Sequence, residues 1–168
     1  LISLEGRRFW ILGLAPLNYR QLVWQKFWLS VGSTSLFTVT LSVLSALMLK
    51  LDNTFFALTV YSVLLCNFGL AGLAVGLGTL YPTFTEDNPA RIVSGLGGTL
   101  NLLLSVGYIT VVVGVQTIVL QGRAIYPGFA TAYPYALAAG ISFITLLTAL
   151  CVLTPIRLGL RHLERLEF

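Results

Sequence analysis

The side chains able to do chemistry are few, and the densest group lies between residues 81 and 99. Glu86 and Asp87 are two of the six carboxylates in the chain and stand side by side. Such a pair could act as general acid and base or hold a metal, but adjacent carboxylates point in different directions on most backbones. No second acidic or histidine cluster completes a site of either kind. Asp87-Asn88-Pro89 reads instead as a helix start, with Asp87 or Asn88 capping free N–H groups and Pro89 at the first helical position. Glu86 and Asp87 then sit at the positive end of the following helix, where negative charge is favoured. His162 stands alone in an arginine-rich tail, and Cys66 and Cys151 have neither metal nor redox spacing. No Ser-His-Asp set, P-loop or HExxH is present, and Gly76-Leu77-Gly78 lies inside an apolar run. The expectation is therefore no catalytic residue, no metal and no cofactor.

The elements that position this charged turn are apolar and long. The chain has 168 residues, is 57% hydrophobic and 10% charged, and has a mean hydropathy of +0.89. A soluble domain carries roughly 25% charged residues, so the fold class expected is an all-α integral membrane protein. Four transmembrane helices are expected at about 27–49, 55–81, 98–120 and 134–154, each near or above the ~20 residues needed to cross a bilayer. Residues 1–26 read as a cytoplasmic interfacial helix: Glu5, Arg7 and Arg8 precede Phe9-Trp10-Ile11-Leu12, and Pro16 breaks the run. Asn18 and Gln21 make a capping box for the next helix, and Trp24 and Trp28 suit headgroup depth. Pro155 should end or kink the last span. Beyond it, residues 156–168 read as an amphipathic juxtamembrane tail in which Arg157, Arg161 and Arg165 recur every four residues. With Leu1 in place of Met, the chain reads as the C-terminal portion of a longer protein.

Orientation follows from the cations. With four spans, Arg7, Arg8, Arg20, Lys26, Arg91, Arg157, Arg161 and Arg165 share one side, against Lys50 and Arg123 on the other. Eight against two puts both termini and the central turn in the cytoplasm. The net charge of +4 is spent on this asymmetry and does not suggest nucleic acid.

Within the spans, Asn67, Asn101 and Gln116 are the costly side chains, and interhelical hydrogen bonding is the expected use. Gly69, Gly72 and Gly76 share one face, suited to close helix packing. Gly95 and Gly98 flank the start of the third span. Counting outward from the turn puts Gly76 level with Gly95, and Asn67 level with Asn101. The second and third spans are thus expected to pack through these glycines, with the two asparagines bonded. A charged turn between two glycine-rich helices is also a good place to receive a push from outside the membrane.

Two stretches carry a family resemblance. Ser3-Leu4-Glu5-Gly6-Arg7-Arg8-Phe9-Trp10, with Ala15-Pro16-Leu17 and Lys26-Phe27, resembles the membrane-entry segment of bacterial ABC-2-type export permeases. Tyr81-Pro82, Glu86-Asp87-Asn88-Pro89, Ile92, Ser94-Gly95 and Gly97-Gly98-Thr99 are similar to a signature between two late spans of the same permeases. The resemblance implies the membrane portion of an ATP-driven exporter in the bacterial inner membrane. It would work with a separate ABC ATPase subunit and a second permease copy, and would not hydrolyse ATP itself. Glu5, Arg7, Arg8 and Trp10, with Glu86, Asp87, Asn88 and Arg91, would couple the ATPase to the spans. The alternatives are a secondary transporter, disfavoured because no span holds a carboxylate, and a structural or assembly membrane protein.

Overall fold

The computed structural model describes residues 19–50, 53–81, 95–125 and 129–165. They form four α-helices: α1 (Tyr19–Met48), α2 (Asn53–Leu80), α3 (Leu96–Ile125) and α4 (Phe129–Arg165). Among the described residues there is no strand. Each helix holds a stretch long and apolar enough to cross a membrane, so the all-helical expectation with four such helices holds. The interfacial segment expected before residue 19 lies outside the described residues.

The helix ends depart from the hydropathy-based spans in an instructive way. α1 takes in Arg20, Trp24 and Lys26, all N-terminal to the expected start at Phe27. α4 runs unbroken through both Pro134 and Pro155 to Arg165, so the expected separate tail helix is the end of the last span. Proline in a helix interior loses one backbone hydrogen bond and crowds the preceding turn, a disruption that neighbouring helices commonly absorb in membrane bundles. Here Pro155 lies against Gly76, where a Cβ would come within 2.6 Å of the Pro155 Cβ. The absence of a side chain on α2 makes the room that the proline ring takes. Two residues past the end of α1, Lys50 takes a φ of 50°, a left-handed stop of the kind that closes helices.

α2 is the centre of the bundle. Half of its apolar window is buried, against 11%, 11% and 17% for the other three, and it packs on α1, α3 and α4. One core cluster joins Val23, Phe27 and Val31 of α1 to Ala71 and Val75 of α2 and Val152 and Ile156 of α4. A second joins Leu73 of α2 to Tyr108 and Val112 of α3 and Ile144 of α4. Phe68 of α2 locks α1 through a T-shaped contact with Trp28 at 6.0 Å. The outward faces are apolar: Leu36, Phe37 and Leu41 of α1 and Leu103 of α3 are each 68% exposed. A water-soluble monomer rarely leaves such a continuous surface bare. The exposed hydroxyls on these faces bond to their own helix, as Thr34 does to the Ser30 carbonyl at 2.8 Å and Thr110 to that of Val106 at 2.8 Å. Back-bonding of this kind lets a hydroxyl sit in an apolar medium without an orphaned proton.

Candidate functional site

Two features of α2 set what the bundle can do. The first is a seam with α4 in which backbones touch. A Cβ at Gly72 would lie 2.7 Å from the Val152 Cα, and one at Gly76 would lie 2.7 Å from the Pro155 carbonyl carbon. One turn on, the relation reverses: a Cβ at Gly159 of α4 would fall on the Thr79 hydroxyl of α2. Small residues thus alternate across the seam, the arrangement that lets helices approach closely where van der Waals packing rather than hydrophobicity drives association. Gly69 lies on the same face but serves α3, its bare Cα receiving the Tyr108 ring. The Tyr108 hydroxyl lies 3.1 Å from the Leu65 carbonyl and 2.8 Å from the Thr148 hydroxyl.

The second feature is a groove of about 290 Å³ over α2, between α1 and α3. Thr38 of α1, Thr59, Ser62 and Asn67 of α2, and Gln116 of α3 line it. Val63, Cys66 and Leu70 of α2 and Val112 and Val113 of α3 line it as well, so apolar groups supply most of its open surface. Asn67, 8% exposed, donates to the Thr38 hydroxyl at 2.5 Å, and Thr38 passes its proton to the Thr34 carbonyl at 2.8 Å. Thr59 bonds to the Phe55 carbonyl at 2.8 Å. The side chains of Ser62 and Gln116 make no hydrogen bond to any described residue.

The structure therefore redistributes the expected packing residues. Gly72 and Gly76 face α4 rather than α3, and Asn67 reaches α1 rather than Asn101. Asn101 keeps a buried Oδ1 with no hydrogen-bond partner. The Gly95 carbonyl accepts the Thr99 N–H at 3.0 Å and the Thr99 hydroxyl at 2.7 Å, closing the first turn of α3. Gly98 is half-buried in that turn. Glu5, Arg7, Arg8, Trp10, Glu86, Asp87, Asn88 and Arg91 lie outside the described residues. Among the described residues no group of three or more His, Cys, Asp or Glu could hold a metal. Thr38, Thr59 and Ser62 carry no signal singly. The readable one is periodic: Thr34, Thr38, Ser42 and Ser45 recur on a single face of α1.

The family described as "Putative ATP-binding cassette" matches the chain over residues 1–168. The chain belongs to this family. No curated protein and no solved structure matches it. Membership in an ATP-binding cassette family corrects three expectations. The resemblance to ABC-2-type permeases rested on two short stretches, whereas the cassette family spans the whole length. The role as the permease portion of an exporter falls with that resemblance. So does the expectation of no enzymatic function, because an ATP-binding cassette family implies ATPase activity. The helices do not have the shape of a typical cassette ATPase, for among the described residues no strand leads into a phosphate-cradling loop.

The Asn67–Thr38 bond makes a direct prediction. Asn67→Leu and Thr38→Val should each destabilise the bundle by on the order of 0.6 kcal/mol, the usual worth of a hydrogen bond between membrane helices. Together they should cost little more than either alone, since both remove the same bond. Denaturation midpoints of the four proteins in mixed detergent micelles check this; additive losses would count against the bond.

Proposed function

We propose that the chain is a membrane-embedded helical portion of an ATP-binding cassette protein, and that ATP binding in that protein moves its helices. The observation that carries this is the pairing of four helices, each apolar enough to cross a bilayer, with cassette-family membership over the full chain. The outward apolar faces and the back-bonded hydroxyls support a lipid environment, and the eight-to-two cation asymmetry supports an orientation with both ends and the central turn on the cytoplasmic side. A nucleotide-binding subunit and a second copy of this chain are the partners the reading implies. Work would enter at the cytoplasmic end, through Glu5, Arg7, Arg8 and Trp10 and through Glu86, Asp87, Asn88 and Arg91. That end leads straight into the α2–α4 seam, whose backbone contacts transmit a displacement rather than absorb it.

A cysteine in place of Thr85 tests both halves of the reading in membranes carrying the intact system. It should react with an impermeant maleimide only from the cytoplasmic side, and ATP should change its rate. Replacing Glu86 and Asp87 by Ala should remove the ATP response while the chain still inserts. Reaction from outside would overturn the orientation; a rate indifferent to ATP would overturn the coupling.

A further inference from the structure

The arginines at one end of the bundle stand at a depth that the α2–α4 seam fixes. α2 has 28 residues, so at the α-helical rise it is about 42 Å long, about 12 Å more than a ~30 Å hydrocarbon layer. Centred in that layer, it leaves about 6 Å outside at each end, so it emerges at about Gly76. Gly76 lies against Pro155 and Ile156 of α4, and Thr79 lies against Gly159. Pro155 and Ile156 therefore mark the hydrocarbon edge, and Arg157 and Arg161 fall within about 8 Å outside it. α1 reaches the same level. Its Val23 shares a buried cluster with Ile156, and Trp24 and Leu160 pack against that cluster. Arg20 is one turn farther out than Trp24. The headgroup layer is about 5–8 Å thick on each side, so all three arginines stand at the depth of phospholipid phosphates.

Arg20, Arg157 and Arg161 are exposed. Arg157 and Arg161 are one turn apart on α4, each directly after a residue of the packed contact, Ile156 and Leu160. The three arginines thus rim the α1–α4 contact where it leaves the hydrocarbon. α1 carries no acidic residue, and α4 carries one, Glu164, a turn beyond Arg161. On the same face of α4 as Arg157, one and two turns toward the membrane interior, lie the exposed Leu153 and Leu150. Cations at phosphate depth above an apolar strip complement a lipid with a negative head and hydrocarbon chains. Arginine suits the phosphate further, since its planar fork can donate two parallel hydrogen bonds to it. A zwitterionic headgroup brings its own cation to that phosphate, whereas an anionic one leaves the charge to the protein. We propose that Arg20, Arg157 and Arg161 form a binding site for the phosphate of an anionic phospholipid. The lipid belongs to the leaflet at this end, the cytoplasmic one in the orientation above, and its chains lie along Leu153 and Leu150.

This inference rests on the membrane reading above, and one experiment tells the two apart. The full chain is reconstituted in nanodiscs of phosphatidylcholine that hold a minor share of phosphatidylglycerol with the same acyl chains. Lipids that stay on the chain when the discs are opened are counted by native mass spectrometry. Phosphatidylglycerol should be enriched at least fivefold over its share in the disc. Arg20→Gln, Arg157→Gln and Arg161→Gln together should bring the enrichment below twofold. Lys50→Gln, at an exposed cation of the opposite end, should leave it unchanged, and an equal loss there would overturn the site. An excess of inorganic phosphate should not lower the enrichment. Displacement by it would make the ligand soluble phosphate and overturn the lipid. A chain held in the discs without enrichment, or a triple variant that keeps it, would overturn the site and leave the membrane reading standing. A chain that does not enter the discs would overturn both.

Discussion

Gly76→Leu should part α2 from α4 and cost about 3 kcal/mol, the upper part of the usual range for overpacking a filled interior. The reason is what the new side chain would strike. A Cβ at Gly76 would come within 2.7 Å of the Pro155 carbonyl carbon and 2.8 Å of the Ile156 nitrogen. These are backbone atoms, and no rotamer change moves them aside. Gly78, two residues along the same helix, has open space where a Cβ would stand, with nothing within 4 Å. Gly78→Leu should therefore be neutral or slightly stabilising, since Leu is the better helix former by several tenths of a kcal/mol. The midpoints of unfolding in mixed micelles for the two variants make the comparison. Equal losses at both positions would mean that the seam is not where the bundle is held. Gly159→Ala, approaching from the α4 side against Thr79, should behave like Gly76 and not like Gly78.

The existence of four helices long and apolar enough to cross a membrane was legible because length and apolarity alone decide it. Which helix faces which was not. In a soluble bundle an amphipathic stripe marks the core face; here the outward faces are as apolar as the core, so no apolar stripe singles out the packed side of a helix. What remains are small residues and amides. The glycines at 69, 72 and 76 did mark α2 as a packing helix, but a bare glycine face does not say whose backbone fills it. Counting outward from the turn assigned Gly76 to α3; depth along the axis fits α3 and α4 equally well, and Gly159 with Pro155 makes α4 the partner. Asn67 shows the same ambiguity. Its depth matches Asn101, yet its direction around the helix turns it to Thr38, and a hydroxyl is a weaker flag in the sequence than an amide. Pro155 misled for a related reason. It breaks a helix in water, but against Gly76 its ring fills a gap and α4 continues to Arg165.

The shape of the bundle also bears on how motion could pass through it. α2 touches every other helix, so a displacement applied at its Leu80 end is shared with α4 through the seam and with α3 through Tyr108. The seam is stiff because it is backbone on backbone. The α1–α2 contact differs along its length, packed by Phe27, Trp28 and Phe68 at one end and bordered by the groove beyond Asn67. A hinge between α1 and the rest is therefore cheaper at the groove end, where few apolar contacts would be broken.

Tyr108→Ala should be the most damaging single truncation in α3, lowering stability by about 3–5 kcal/mol, as large-to-small changes of buried aromatics do. Tyr108 is 4% exposed, and its ring fills the notch that Gly69 leaves: a Cβ at Gly69 would sit 2.5 Å from the Tyr108 Cζ. No side chain on α2 can swing in to refill that space. The hydroxyl adds a second, smaller contribution. Tyr108 and Thr148 have two protons between them for three short contacts, to each other at 2.8 Å, to the Leu65 carbonyl at 3.1 Å and to the Ile144 carbonyl at 2.7 Å. Either Tyr108 donates to Leu65 and accepts from Thr148, or it donates to Thr148 while Thr148 donates to Ile144. Both arrangements leave Thr148 satisfied, so Tyr108→Phe should cost only about 0.5–1.5 kcal/mol. Gly69→Ala is the complementary change, since its methyl must push the ring out of the notch. It should destabilise the wild-type chain but be largely relieved in the Tyr108→Ala background, where the space is empty. A double-mutant cycle on unfolding midpoints measures that coupling. Additive losses from Gly69→Ala and Tyr108→Ala would show that the ring does not occupy the notch.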